Sequence, residues 1–279
     1  MSTIPISVTE EQFNGHIRPH VSTARRGYEC KIPLYKVFNY ILYRLHTGCQ
    51  WDRLPIDPDP TDPTKGNQPG CGVLPLSQVE PGWKPGASVG AKHRECARRP
   101  GPVRTQSGWQ PRDCQERRRV GGLSGRQESQ DLQHPALTDA NGYVVACTGI
   151  VAGNHNDAFN LKPHLQAAFK SMKRLGLNFR GAYFNADAAV DTRDARRVCF
   201  RYGLRPNIAE NPRNRKSPKR GRKRLFNPDV YKHRFSSERS FAWVDKFRAL
   251  LLRFDRKDAY FLGAHHIAFA MINLRHVLA

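Results

Sequence analysis

The chain has 279 residues, of which 46 are Lys or Arg and 24 are Asp or Glu, so its formal net charge at pH 7 is +22. This excess of positive charge favours binding to phosphate backbones or anionic surfaces. There is no run of about 18 apolar residues, and the N-terminal "MSTIPISVTEEQ" lacks the basic-then-apolar layout of a signal peptide. We therefore expect a soluble, cytoplasmic protein with no membrane partner.

Two helices are predicted in residues 1–65. The stretch "TEEQ", Thr9 to Gln12, matches a capping box and predicts a helix of about a dozen residues after it. The apolar spacing in "KIPLYKVFNYILYRLHTGCQW" predicts a second helix that ends at Gly48. The basic "ARRGYECK" joins them, so the pair is either a DNA-binding module of helix-turn-helix type or an ordinary helical hairpin.

Residues 66–136 have a different composition. Of these residues, 19 of 71 are Gly or Pro, and none is Phe, Tyr, Ile or Met. Such a stretch cannot bury enough apolar surface to offset the entropy lost on ordering. The composition therefore predicts a disordered, irregular middle segment without strands.

Residues 137–279 alternate between strand and helix patterns. The Asn141-Gly142 turn in "LTDANGYVVACTGIVAGN" precedes a β-rich run. A helix over about 157–175, a strand that ends at Asp187 and a helix that closes at Gly203 follow. This order predicts an α/β sheet with polar residues at the strand ends.

Two further helices are predicted at the end of the chain. The first has an apolar face formed by Phe241, Val244, Phe247, Leu251 and Phe254, and the second is the apolar "GAHHIAFAMINLRHVL". Its two adjacent histidines, His265 and His266, are interpreted as core or surface residues rather than metal ligands. The seven cysteines form no CxxC pair and no Cys/His cluster with zinc-finger spacing, so we expect reduced thiols without a metal role.

A dense basic segment precedes the first of these helices. It is interpreted as a DNA-binding loop, and the alternative is a solvated run of charge. Its eight basic residues are Arg213, Arg215, Lys216, Lys219, Arg220, Arg222, Lys223 and Arg224.

Two acidic residues lie where chemistry could occur. Asp187 ends a predicted strand, and Glu238 begins a predicted helix. Paired carboxylates in such places can hold divalent metal ions that stabilise the attacking and leaving oxygens of a phosphoryl transfer. The alternative is that Glu238 favours the helix N-terminus and pairs with a neighbouring arginine.

The residues around Glu238 have a regular spacing. Tyr231, Arg234 and Glu238 follow the pattern Tyr-x2-Arg-x3-Glu, and "FNADAAVDT" upstream carries Asp187. These features resemble the DDE-type transposases of bacterial insertion sequences, whose pattern continues with x6-Lys. Residues 9–64 are also similar to the N-terminal region of such transposases. The resemblance covers residues 9–64 and 137–279.

The resemblance implies an α/β fold in which residues 137–279 form a ribonuclease H-like core with a mixed sheet. It implies that Asp187 and Glu238 are catalytic and hold Mg²⁺ or Mn²⁺. Supporting roles fall to Tyr231, Arg234, Lys246 and Asp157. Lys246 stands one position beyond the family's lysine, and Asp157 could instead cap the helix that follows it. The implied partners are double-stranded DNA, at the element ends and the target, and further copies of the chain; the implied location is the bacterial nucleoid.

The family also has a first aspartate, which no segment of residues 66–136 matches. Asp113 and Asp131 lie in Gly/Arg/Gln-rich sequence, and Asp139 is explained by the opening of the "DANG" turn. We therefore expect the predicted sheet to be incomplete, lacking the strand beside that of Asp187.

A shifted reading frame explains the gap. In the shifted frame, each codon consists of the last two bases of one written codon and the first base of the next. If Ser107 is encoded by TCT and Gly108 by GGA, this frame reads Leu-Asp-Gly-Asn/Ser over residues 107–111. The same register from Gly66 onward permits an amphipathic helical sequence. We infer that residues 66–136 are read out of frame, and we expect this chain to be a transposase remnant that binds DNA and is catalytically inactive. The alternatives are a basic nucleic-acid-binding protein without catalytic activity, and a metal-dependent nuclease or recombinase on the same core.

Overall fold

In a computed structural model of the protein, the described residues are 4–21, 32–57, 105–108, 132–133, 136–149, 151–152, 159–210, 226–251, 255, 258–275 and 277–278. For 105–108, 132–133 and 151–152 only the backbone is described. The chain divides into two compact units, residues 1–88 with 242–279 and residues 89–241. The observed class is mixed α/β, as predicted. The predicted division into 1–65, 66–136 and 137–279 stays a prediction.

The first helix of the first unit, α1, spans Glu10–His16. The predicted capping box is confirmed, since the Gln12 amide N–H donates to the Thr9 hydroxyl (3.2 Å) and the Thr9 N–H donates to the Gln12 side chain (2.9 Å). The helix has 7 residues, fewer than expected. A 3-10 turn, Arg18–His20, follows it and contains Pro19, which cannot donate a helical hydrogen bond.

The second helix, α2, spans Leu34–Thr47 and ends at Gly48, as predicted. Gly48 has φ +72°, a left-handed conformation that glycine adopts without strain. The buried apolar residues of α2 are Val37, Phe38, Ile41, Leu42 and Leu45. Phe38 packs on Phe13 of α1, with ring centroids 5.6 Å apart, so these helices share one core.

The predicted helix through Phe254 is wrong in its extent. The observed helix, Phe235–Val244, ends ten residues earlier, and a 3-10 turn, Arg248–Leu250, follows. Between them Phe247 has an extended backbone and packs on His46, with ring centroids 4.5 Å apart. This buried contact overrides the helical pattern of the sequence.

The last helix spans Asp258–Leu274 and is largely buried. His265 is a core residue, as interpreted from sequence: it is 4% exposed, and its Nδ1 lies 2.9 Å from the Phe261 carbonyl oxygen. Within the described residues, no helix combines the length and apolar composition needed to cross a bilayer.

The second unit contains a five-stranded mixed sheet. Its strands are β1 Thr105–Gly108, β3 Ala136–Asp139, β4 Val144–Cys147, β6 Tyr183–Ala186 and β7 Arg205–Ile208, and a separate antiparallel pair consists of β2 Leu132–Gln133 and β5 Val151–Ala152. The order across the sheet is β4-β3-β1-β6-β7. β3 runs antiparallel to β4 and β1, whereas β1, β6 and β7 are parallel.

Strand β1 corrects the expectation of an incomplete sheet. It lies within the segment predicted to lack strands, and it fills the place between β3 and β6, beside the strand of Asp187. Composition missed it because ladder hydrogen bonds come from backbone groups, which any residue except proline supplies. Two unpaired strand edges favour an added strand almost regardless of its side chains.

Two helices pack on this sheet, α3 Leu161–Arg174 and α4 Arg193–Arg201. Both were predicted, and Gly176 and Gly203 follow their ends with φ of +72° and +79°. Phe169 of α3 lies edge-on to Phe184 of β6, with ring centroids 5.7 Å apart. This core holds β6 and therefore fixes the backbone that leads to Asp187.

Candidate functional site

Asp187 directly follows the carboxyl end of β6, as predicted. Its Oδ1 accepts a hydrogen bond of 2.6 Å from the Ala188 N–H and so caps a short 3-10 turn. The side chain is 57% exposed, so its second oxygen can meet a ligand from solvent. The turn therefore holds the carboxylate at the sheet edge without burying it.

Successive helical turns carry the other predicted residues. The helix α5 spans Pro228–Tyr231, a 3-10 turn covers Lys232–Arg234, and the helix α6 spans Phe235–Val244. Tyr231, Arg234 and Glu238 stand at positions i, i+3 and i+7 of this segment. In helical structure that spacing places side chains on one face.

Arg234 bridges the two predicted acidic residues. Its Nη1 lies 3.5 Å from Oδ2 of Asp187, and its Nη2 lies 3.4 Å from Oε1 of Glu238. The arginine side chain is 26% exposed and that of Glu238 is 35% exposed, so both ion pairs are partly shielded from water. Asp187 and Glu238, which are distant in sequence, thus meet at one guanidinium group.

Tyr231 completes this cluster. The guanidinium carbon of Arg234 lies 5.6 Å from the centroid of the Tyr231 ring. Burial raises the pKa of Tyr231, Asp187 and Glu238 raise it further, and the charge of Arg234 opposes these effects. The phenol is therefore a neutral donor at neutral pH.

Three asparagines, Asn185, Asn207 and Asn227, tie these helical turns to the sheet. Asn207 Nδ2 donates to Asn185 Oδ1 (2.7 Å) and to the Asn227 carbonyl (3.0 Å), and Asn207 Oδ1 accepts from the Asn227 N–H (2.8 Å). Asn185 Nδ2 donates to the Val230 carbonyl at 3.2 Å. Asn227 in turn caps α5 by accepting from the N–H groups of Asp229 and Val230. This asparagine network links β6, which leads to Asp187, with the segment that leads to Glu238.

Two serines anchor α6 to the turn between β3 and β4. Ser236 donates to the Asp139 carbonyl at 3.3 Å, and Ser240 donates to the Gly142 carbonyl at 2.6 Å. Gly142 has φ +83°, and a Cβ added there would lie 2.9 Å from the Ser240 oxygen, so the close approach requires glycine. Ser237, between them, donates to the Arg234 carbonyl at 2.8 Å.

Asp139 belongs to the predicted turn. It is 2% exposed, and its Oδ1 accepts from the N–H groups of Asn141 (2.9 Å) and Tyr143 (2.8 Å). This confirms its interpretation as the opening of the "DANG" turn. The Asp139 carboxylate is thus engaged in a structural role within the turn.

Asp187 and Glu238 offer carboxylate oxygens, the donor type that Mg²⁺ and Mn²⁺ bind. These ions prefer oxygen ligands, and Mg²⁺ commonly uses one or two carboxylates together with water and phosphate oxygens. Both carboxylates are reachable from solvent. Within the described part of the chain, three or more His, Cys, Asp or Glu side chains nowhere cluster in a way that could hold a metal ion, so the pair lacks a third such ligand there.

Other predicted site residues stay untested. Asp157 and the eight basic residues of 211–224 lie outside the described residues. Lys246 is described and follows the end of α6, where its N–H donates to the Trp243 carbonyl at 3.2 Å. That contact does not bear on its predicted supporting role.

Sequence reasoning missed the asparagine network and the two anchoring serines. The Asn227-Pro228 dipeptide is a readable signal, because asparagine is favoured at N-caps and proline at the first helical position. Nothing comparable marks Asn185 or Asn207, whose partners are distant in the chain.

Comparison with protein-family models, with curated proteins and with solved structures found no match for this chain.

Proposed function

We propose that this chain is a remnant of a DDE-type transposase of a bacterial insertion sequence. The ancestral reaction is metal-dependent cleavage and transfer of DNA strands at the ends of the element. The observation that carries the proposal is the bridge from Asp187 through Arg234 to Glu238, since the resemblance assigns roles to these same three residues.

The sheet supports the proposal independently of the side chains. When its five strands alone are numbered along the chain, their order is 3-2-1-4-5, with only the second strand antiparallel to the first. This arrangement agrees with the mixed sheet of a ribonuclease H-like core. Asp187 follows the fourth of these strands, where the resemblance expects the second acid.

Each residue of the site has a role in this chemistry. Asp187 and Glu238 would hold Mg²⁺, which supplies stabilisation of the charge on the attacking and leaving oxygens of a phosphodiester. Arg234 keeps the two carboxylates together through the planar N–H donors of its guanidinium group. The phenol O–H of Tyr231, whose pKa burial raises further above neutral pH, can donate a hydrogen bond to a phosphate oxygen.

The resemblance also explains why we expect this chain to be inactive. The resemblance requires three acids, and the described residues supply two at the site. Asp139 is used in its turn, and Asp113 and Asp131 lie outside the described residues. Loss of the first acid through a shifted reading frame leaves the DNA-binding charge of the chain in place.

The test uses a gene in which residues 66–136 are returned to the shifted frame. We expect the restored protein to cleave the ends of its element in the presence of Mg²⁺, and we expect Asp187→Ala or Glu238→Ala to abolish cleavage. Asp194→Ala is the matched control, because Asp194 is an exposed carboxylate that pairs with Arg197 on α4. Absence of cleavage by the restored protein, or equal loss in the control, would contradict the proposal.

A metal-dependent nuclease on the same core would differ from a transposase in the step that follows cleavage. A transposase joins the freed 3′ end to a second DNA, whereas a nuclease stops after cleavage. Joined products in the same reaction support the transposase, and cleavage alone supports the nuclease.

A further inference from the structure

We propose that a row of side chains beside the carboxylate pair binds an unpaired base of a single-stranded DNA end. The row, called here the aromatic row, consists of Phe226, Tyr231, Arg234 and Phe235. The inference rests on the proposed function for the DNA substrate, and it adds the feature of that substrate that the site would recognise.

The aromatic row is continuous. The rings of Phe226 and Tyr231 have centroids 5.0 Å apart. The guanidinium carbon of Arg234 lies 5.6 Å from the Tyr231 ring centroid and 5.8 Å from that of Phe235. Three rings and one planar cation therefore adjoin one another, and the cation is the group that also contacts Asp187 and Glu238.

The two ends of the aromatic row face solvent. Phe235 is 62% exposed and Phe226 is 44% exposed, which leaves large apolar surfaces in water. Exposed apolar groups gathered in one place, unlike single scattered ones, mark interaction sites. Ser236, next to Phe235, is buried and anchored, so the backbone that carries the row is held in place.

The charges at the aromatic row and on the whole chain favour a DNA base as the ligand. The positive charge of Arg234 is already offset by two carboxylates, so the row itself has no surplus charge for a phosphate. It offers flat faces instead, and stacking of a base on an aromatic side chain contributes about 1–3 kcal/mol whatever the base. The phosphates of the strand are attracted by the chain as a whole, whose net charge is +22. A DNA strand matches both the flat aromatic faces, on which its neutral bases stack, and the positive net charge, which attracts its polyanionic backbone. An apolar peptide matches only the aromatic faces.

The experiment measures binding of the full-length protein to two DNA probes without divalent metal. One is a blunt duplex, and the other is the same duplex with a three-nucleotide 3′ extension that contains 2-aminopurine, whose fluorescence is quenched by stacking. The variants are Phe226→Ala, Phe235→Ala and the conservative Phe235→Trp. Phe200→Ala is the matched control, because Phe200 is 67% exposed on α4 and lies outside the aromatic row.

We expect tighter binding of the extended duplex and quenching of its 2-aminopurine. Phe226→Ala and Phe235→Ala should weaken binding of the extended duplex about tenfold, remove the quenching and leave binding of the blunt duplex unchanged. Phe235→Trp should retain the quenching, and Phe200→Ala should behave as wild type.

Four results would overturn the inference. The first is equal binding of the two probes by the wild-type protein, which would leave the proposed function standing. The second is an equal effect of Phe200→Ala, which would show that the loss is not specific to the aromatic row. The third is loss of self-association in Phe235→Ala with quenching intact, which would make the row a protein-binding surface. The fourth is failure to bind either probe, which would count against the proposed function as well.

Discussion

Nη1 of Arg234 lies 3.5 Å from Oδ2 of Asp187, while the other terminal nitrogen of the same guanidinium reaches Glu238 at 3.4 Å. The arginine thus holds together two carboxylates that would otherwise repel each other. It also places a positive charge where a divalent cation would bind, so its removal should change the cation affinity in a defined direction.

We predict that Arg234→Gln binds Mn²⁺ about three- to tenfold more tightly than wild type. One unit charge at about 4 Å contributes roughly 1 kcal/mol in water-like surroundings, and its repulsion of the cation is lost. Titration calorimetry measures the change. Arg234→Lys keeps the charge and should stay near wild type, and Asp187→Asn should remove binding. Weaker binding in Arg234→Gln would contradict the prediction and show that charge repulsion by Arg234 does not limit the affinity for Mn²⁺.

A second prediction concerns Gly108 at the end of β1. β1 and β6 are parallel, with Thr105 opposite Phe184 and Gln106 opposite Asn185. Continuation of this register by two residues brings Gly108 opposite Asp187. If Gly108 is encoded by GGA, the shifted codon that spans Gly108 and Trp109 would encode aspartate, so strand register and the proposed reading frame point to the same place.

We therefore predict that Gly108→Asp adds a third carboxylate to the site and tightens Mn²⁺ binding about tenfold or more. Gly108→Asn, of equal size but neutral, is the control and should leave the affinity within about twofold, since its amide is a weaker ligand than a carboxylate. The gain should disappear when Asp187→Asn is combined with Gly108→Asp. Equal affinity of the Asp and Asn variants would contradict the placement of β1.

A third prediction tests the asparagine network. Asn207→Ala removes three hydrogen bonds, one to the buried side chain of Asn185 and two to the backbone of Asn227. We expect the free energy of unfolding to fall by about 2–4 kcal/mol, measured by urea denaturation, because each lost hydrogen bond contributes about 0.5–1.5 kcal/mol. Asn178→Ala, at an exposed position, should change it by less than about 0.5 kcal/mol. Similar effects of the two substitutions would show that the network does not hold the site.

A fourth prediction concerns acid stability. Burial lowers the pKa of His266 from 6.5 to about 4. The unfolded chain therefore binds a proton that the folded chain excludes between these values, so stability is present above pH 6.5 and is lost as the pH falls towards 4. The loss from this group is at most about 3 kcal/mol.

Replacement of His266 by Gln should flatten the dependence of the unfolding free energy on pH in this window. His233→Gln, at an exposed position, is the matched control and should leave the slope unchanged. An unchanged slope in His266→Gln would assign the acid sensitivity to other groups.

The features that local chemistry determines were predictable from the sequence. The capping box of Thr9 and Gln12, the stop at Gly48 and the turn at Asn141-Gly142 each depend on residues a few positions apart, and all three are confirmed. The relation of Asp187 to a strand end is likewise local, because an apolar run ends one residue before it.

The features that were missed depend on distant partners. β1 and β7 are short and polar, or contain proline, and they become strands by pairing with β3 and β6. The end of α6 at Val244 follows from the burial of Phe247 rather than from any helix-stop residue. The bridging position of Arg234 requires the fold to bring Asp187 and Glu238 together, which spacing alone could not show.

The most direct test of the central claim is the nucleotide sequence that encodes residues 63–141. We expect Gly108 to be encoded by GGA and Ser107 by TCT. We also expect one shifted register to read through the segment without stop codons and to give a helical stretch and a strand that ends in Leu-Asp-Gly. Stop codons in that register, or no Asp-Gly motif at residues 108–110, would contradict the claim. The middle segment would then be a true part of this protein, and the proposed origin from an active transposase would fall.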